Sequence, residues 1–201
     1  MGMLKELPIF LLTINEDLNS DAEVSYVSLV DMPAIEKNFV AFNEAKQTFA
    51  ISNEDLQIIS GPAMLADVPI YRNDAALGEC YVMFDEDNIM KAAQKFFQKG
   101  FQNNINLFHD MGDTPQGVTV FESFVTDSNR GIKPMRGFED AKDGSWFISM
   151  KVDNADVWGR VKAGELKGFS IEGMFGYKEI KMSKEEQILE QIKAILKNVD
   201  F

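Results

Sequence analysis

A chain of 201 residues with 45% hydrophobic residues and 11% aromatics has enough apolar material for a buried core, which excludes a disordered chain and favours one domain with appendages. The formal charge of -12, from 32 acidic and 20 basic residues, makes a surface that repels nucleic acid and anionic lipid, so neither is an expected partner. One cysteine excludes an internal disulfide, no stretch approaches the roughly 20 apolar residues of a bilayer span, and the first residues lack a secretory pattern; the expectation is a soluble, intracellular protein.

Residues 8–14 (Pro-Ile-Phe-Leu-Leu-Thr-Ile) read as a buried strand and 26–30 (Tyr-Val-Ser-Leu-Val) as a second, broken at Pro33 because proline cannot donate to a ladder. Residues 39–42 and 47–51 read as short strands, and 56–59 lead into a turn at Ser60-Gly61-Pro62. Residues 63–71 and 78–84 read as two strands joined through Arg72-Asn73-Asp74. Asp85-Glu86-Asp87-Asn88 then opens a helix whose apolar face carries Ile89, Ala92, Ala93, Phe96 and Phe97, and Gly100 stops it. Residues 118–125 alternate as a strand, 127–131 form a loop, and 145–152 form another strand. Asp153 or Asn154 caps a short helix that turns Val157, Trp158 and Val161 inward and ends at Gly164. A strand over 169–177 follows. Last, Ser183-Lys184-Glu185-Glu186 has the spacing of a capping box, ahead of a stripe of Ile188, Leu189, Ile192, Ile195, Leu196 and Val199 on a C-terminal helix.

The chain has one histidine, His109, and 61 positions later a serine between glycines in Gly168-Phe169-Ser170-Ile171-Glu172-Gly173. A serine hydroxyl needs a base to take its proton, and histidine is the usual base near neutral pH. The spacing departs from the nucleophile elbow, since Glu172 stands where the downstream glycine belongs. A third group that orients the imidazole must be a carboxylate or be absent. Glu122 is the first candidate, because alternation puts it on the apolar face shared by Val118, Val120 and Phe124, where pairing would offset its burial. Glu172, on the same strand face as Ser170, is the substitute, and Asp110 and Asp113 read as loop acids. Cys80 alternates with Val82 and Phe84 and reads as a core residue rather than a nucleophile. One histidine and one cysteine exclude the ordinary zinc sets, the acids lack calcium-loop spacing, and there is no phosphate or dinucleotide fingerprint, so no metal or cofactor is expected.

In order along the chain, Ile58-Ile59-Ser60-Gly61-Pro62-Ala63-Met64, Val68-Pro69-Ile70-Tyr71-Arg72, the helix leading to His109, Val120-Phe121-Glu122-Ser123, Trp146-Phe147 and the run from Trp158 to Gly173 resemble the prohead (procapsid maturation) serine proteases of tailed bacteriophages. Residues 27–36 resemble the segment preceding that core in the XkdF-like phage serine proteases. The resemblance covers about residues 8–177. It implies an assemblin-type fold: α+β, mostly β, with a β-barrel core and surrounding helices. The implied parts are a strand-rich segment over 1–55 packing on the core, a protease core over 56–182, and the amphipathic helix over 183–201.

The resemblance also implies a histidine–serine pair on His109 and Ser170. Assemblins add a second histidine that this chain lacks, which leaves the third role to Glu122 or Glu172. Backbone amides near Ser170, Arg130 or Arg136 are the candidates for the oxyanion hole. The implied substrates are phage scaffold and major capsid proteins, with self-cleavage and a homo-oligomer as further expectations, inside a procapsid in the host cytoplasm. The rival reading is a non-catalytic capsid or tail assembly protein that keeps a similar barrel and leaves Ser170 and His109 apart.

Overall fold

The computed structural model describes residues 7–31, 49–74 and 76–180; the strand expected at 39–42, the start of the one at 47–51 and the helix expected over 183–201 lie outside them. The described elements are β1 (Ile9–Thr13), β2 (Glu23–Val30), β3 (Ala50–Asn53), β4 (Ile58–Met64), β5 (Ile70–Asp74), β6 (Gly78–Met83), α1 (Glu86–Gln98), β7 (Ile105–Leu107), β8 (Val118–Val125), β9 (Trp146–Val152), α2 (Ala155–Lys162), β10 (Gly168–Met174) and β11 (Gly176–Ile180). The protein is α+β and mostly β, as its sequence predicts. The strands form three sheets, ordered β11-β1-β6-β5, β10-β2-β7 and β3-β4-β9-β8. Among the described residues they do not close into the expected assemblin-like barrel. Closure needs hydrogen bonding that runs unbroken around a ring of strands, and the ladders here end at β10 and β7 in one sheet and at β3 and β8 in another.

Strand β9 is the centre of the core, with Trp146, Phe147, Ile148, Met150 and Val152 fully buried between β4 and β8. Helix α1 starts where Asp85 accepts a hydrogen bond from the Asn88 amide, and it buries Ile89, Ala92, Ala93 and Phe96. The Phe96 ring meets Trp146 edge to face at 5.5 Å. Phe97, expected on the same stripe, lies at its margin and is exposed. Helix α2 is capped by Asn154, which accepts from the amides of Asp156 and Val157, and it buries Val157, Trp158 and Val161.

Three element boundaries differ from expectation. Ser60-Gly61-Pro62 is the interior of β4 rather than a turn. Proline fits there because the pairing with β9 slips at a bulge between Pro62 and Met64, and among the described residues β3 covers only Ile58 to Ser60. The chain instead turns at Asp67, whose φ of 55° is left-handed, so Arg72-Asn73-Asp74 belongs to β5. The strand expected over 169–177 is two strands, β10 and β11, which enter different sheets.

The N-terminal segment does more than cover the core. β2 is the middle strand of its sheet, antiparallel to β10 and parallel to β7. The loop that precedes it is tied to α1 by Lys95, which is buried. Its ammonium group donates to the backbone carbonyls of Asn15 (3.1 Å), Asp17 (2.7 Å), Ser20 (2.8 Å) and Ala22 (3.3 Å) and lies 3.5 Å from the Glu23 carboxylate.

Candidate active site

Register across the β10-β2-β7 sheet sets Ser170 opposite Ser28 and Ser28 opposite Asn106. Side chains opposite one another share a face of the pleat, so the three make a polar row, and all are buried. Glu172, two residues along β10, is on the face of Ser170. A bulge between Glu172 and Gly173 bends the strand at that point. Only glycine fits after it: a Cβ on Gly173 would lie 1.8 Å from the Glu23 carbonyl oxygen.

His109 comes from the turn that ends β7. Leu107 and Asp110 are bridged, the Asp110 amide donates to the Leu107 carbonyl at 2.9 Å, and Phe108 and His109 have φ of 52° and 62°. Two central residues with positive φ define a type I′ turn, which normally selects asparagine and glycine. A phenylalanine and a histidine hold this conformation at a cost of about 1 kcal/mol each. Strain of this kind concentrates at functional sites. The turn is braced from α2, where the Arg160 guanidinium sits over the Phe108 ring, 4.8 Å from its centroid.

The result is a cluster around one carboxylate oxygen. Glu172 Oε1 lies 2.6 Å from Ser28 Oγ, 2.7 Å from Asn106 Nδ2 and 2.9 Å from His109 Nδ1. Burial alone pushes the Glu172 carboxyl up. The hydrogen bonds from Ser28, Asn106 and His109, with the charge of His109, outweigh burial and hold it below the usual carboxylate range. An ionised carboxylate can only accept, so His109 Nδ1 carries the hydrogen and Nε2 is left as the basic nitrogen. Ser28 Oγ also lies 2.5 Å from Asn106 Oδ1 and 3.1 Å from His109 Nδ1.

The residues expected from sequence fall in different places. His109 and Glu172 are paired. Ser170 adjoins both of their supports, with Ser28 opposite and Glu172 two residues on, but no hydrogen bond joins its hydroxyl to another described residue. It borders a cavity of about 420 Å³. Glu122, the first choice for orienting the histidine, is not at this site. The bulge between Val120 and Glu122 breaks the alternation of β8, and the exposed Glu122 carboxylate accepts from the Ser149 hydroxyl on β9. Glu172 takes that position instead. Arg130 lies in a short 3-10 turn, 3.8 Å from Asp127, and Arg136 is exposed in the loop that follows. The arginine that touches the histidine turn is Arg160. Cys80 is fully buried on β6. Sequence reasoning missed Ser28 and Asn106; the signal available was a polar residue inside an otherwise apolar strand in each case, Val27-Ser28-Leu29 and Ile105-Asn106-Leu107.

The site thus sets a carboxylate-paired imidazole close to the sheet face that carries Ser170. Residues 47–179 match the model of a family described as "Putative phage serine protease XkdF", and the chain belongs to that family. It is also similar to the phage-like element PBSX protein XkdF of Bacillus subtilis (strain 168), with 28% identity over 162 residues, covering 76% of this chain and 53% of that protein. The chain therefore spans about half the length of this curated relative. No solved structure matches it.

Proposed function

We propose that the protein is a serine endopeptidase that processes scaffold and major capsid proteins during phage procapsid maturation, acting inside the procapsid in the host cytoplasm. The observation that carries this reading is the His109–Glu172 pair set on the same sheet face as Ser170. In the reaction, Ser170 Oγ attacks the peptide carbonyl while His109 Nε2 takes its proton. The imidazolium so formed is stabilised by Glu172 and then gives the proton to the leaving amine, and water releases the acyl group from Ser170 by the reverse sequence. For the first step the imidazole swings from Ser28 toward Ser170, a side-chain rotation of the kind that tightens when substrate binds. Ser28 is the less suitable nucleophile despite its contact with His109, because it is wholly buried and no carbonyl can approach it.

The lack of a Ser170–His109 hydrogen bond favours one rival, a non-catalytic capsid or tail assembly protein. Co-expression with the cognate capsid and scaffold proteins separates the two readings. Intact masses are compared for the wild type, Ser170→Ala and His109→Ala. The protease reading expects truncated products in the wild type and full-length proteins in both variants. Identical masses in all three, with assembly intact, reject it.

A further inference from the structure

We propose that the cavity beside Ser170 is the subsite that receives a bulky apolar side chain of the substrate, such as leucine, methionine or phenylalanine. This rests on the reading of Ser170 as the nucleophile. The cavity has a volume of about 420 Å³, within the range of roughly 300 to 1,000 Å³ typical of ligand pockets. Ser170 is part of its wall, so a peptide whose carbonyl is attacked by that hydroxyl lays a neighbouring side chain at its mouth. The interior is formed by Leu12, Met64, Cys80, Val82 and Phe84, each no more than 5% exposed. These are residues of the hydrophobic core, so the cavity is an opening into the core between β1, β4, β6 and β10.

Two charged groups also border it, Glu172 and Arg72, and they do not make it a site for an acidic side chain. The Glu172 carboxylate repels one; Arg72, whose Nη1 donates to the Tyr71 carbonyl at 3.0 Å, keeps its charge, so the exclusion rests on Glu172 and on the apolar interior. A carboxylate carried to the apolar floor would lose its hydration without a partner there. An alkyl or aryl group gains by the same transfer.

The test reads binding without turnover. Protein labelled with ¹³C-methyl methionine reports on Met64, whose signal is assigned by its loss in Met64→Leu. The Ser170→Ala protein is titrated with capped dipeptides that differ only in carrying leucine, glycine or glutamate. The expected result is a saturable shift of the Met64 signal with the leucine peptide, at least about tenfold tighter than with glycine, and no shift with glutamate. Ala63→Phe, which fills the cavity from β4, abolishes the leucine response; if that variant does not fold, the comparison of the three peptides decides alone. A Met64 signal unmoved by leucine, or moved more tightly by glutamate, overturns the proposal. Cleavage in the co-expression assay with a silent Met64 rejects the subsite and keeps the protease. A normal leucine response without Ser170-dependent cleavage rejects the protease and keeps the pocket.

Discussion

Ser28 has one hydrogen to give and two acceptors within reach, Asn106 Oδ1 and Glu172 Oε1, so it serves one of them at a time. Its function is therefore to hold the carboxylate and the amide in register. In the proposed reaction the carboxylate fixes the imidazole tautomer through its contact with His109 Nδ1. Glu172→Gln should lower the rate of substrate cleavage by about 10²- to 10⁴-fold, the usual worth of a positioned acid–base group, with the fold retained; rates on a purified scaffold substrate check this. Glu172 also links stability to pH. Its folded carboxyl titrates below the ordinary 4.5, so its contribution is complete above that pH and is lost as the pH falls through the folded value. The stability gap between wild type and Glu172→Gln in denaturant titrations should be present at pH 7 and should close in acid. Of this candidate site, His109 and Ser170 were proposed from sequence because one is unique and the other is flanked by glycines. Glu122 misled because a bulge, which leaves no mark in an alternating sequence, turns it away. Ser28 and Asn106 left only the mark of a polar residue in an apolar strand, and the partners that give it meaning lie as far as 144 residues away.

At the scale of elements, the bulge at Glu172 and Gly173 joins local backbone geometry to the site. Any side chain at Gly173 meets the backbone of β2, which cannot retreat without pulling Ser28 off Asn106. Gly173→Ala should destabilise the protein by about 3 kcal/mol, the upper end for a single substitution. Hydrogen exchange should show the loss concentrated in β2 and β10, and cleavage should fall with it. The helices were read well from sequence, since caps at Asp85 and Asn154 and a 3.6-residue period are local signals. Strand limits were read less well. Pro62 looks like a turn and stands inside β4, because the bulge in its pairing with β9 is a property of the sheet and not of the segment. The same holds for the division of 169–177 between two sheets.

At the scale of the whole molecule, Lys95 fastens the segment before β2 to α1. A lysine ammonium has three hydrogens, and here four carbonyls and the Glu23 carboxylate share them. Lys95→Met keeps the apolar stem and removes the shared donor: Glu23 keeps Lys99 and Asp17 keeps the Ser20 amide, while the carbonyls of Asn15, Ser20 and Ala22 lose the ammonium group. The expected cost is about 3 kcal/mol, or roughly 6 to 12 °C in Tm for a chain of this size, measured by thermal denaturation. The place of β2 has a further consequence in time. The strand that bridges the histidine and serine strands lies before the stretch matched to the family, and it is translated early. Its partner on β10 leaves the ribosome 144 residues later, about 7 to 30 s at ordinary rates of synthesis. Until then the histidine turn has no carboxylate to hold it, and a chain interrupted before residue 168 carries neither the serine nor the acid. On the proposed protease reading, nascent and broken chains therefore lack both groups and do not cleave.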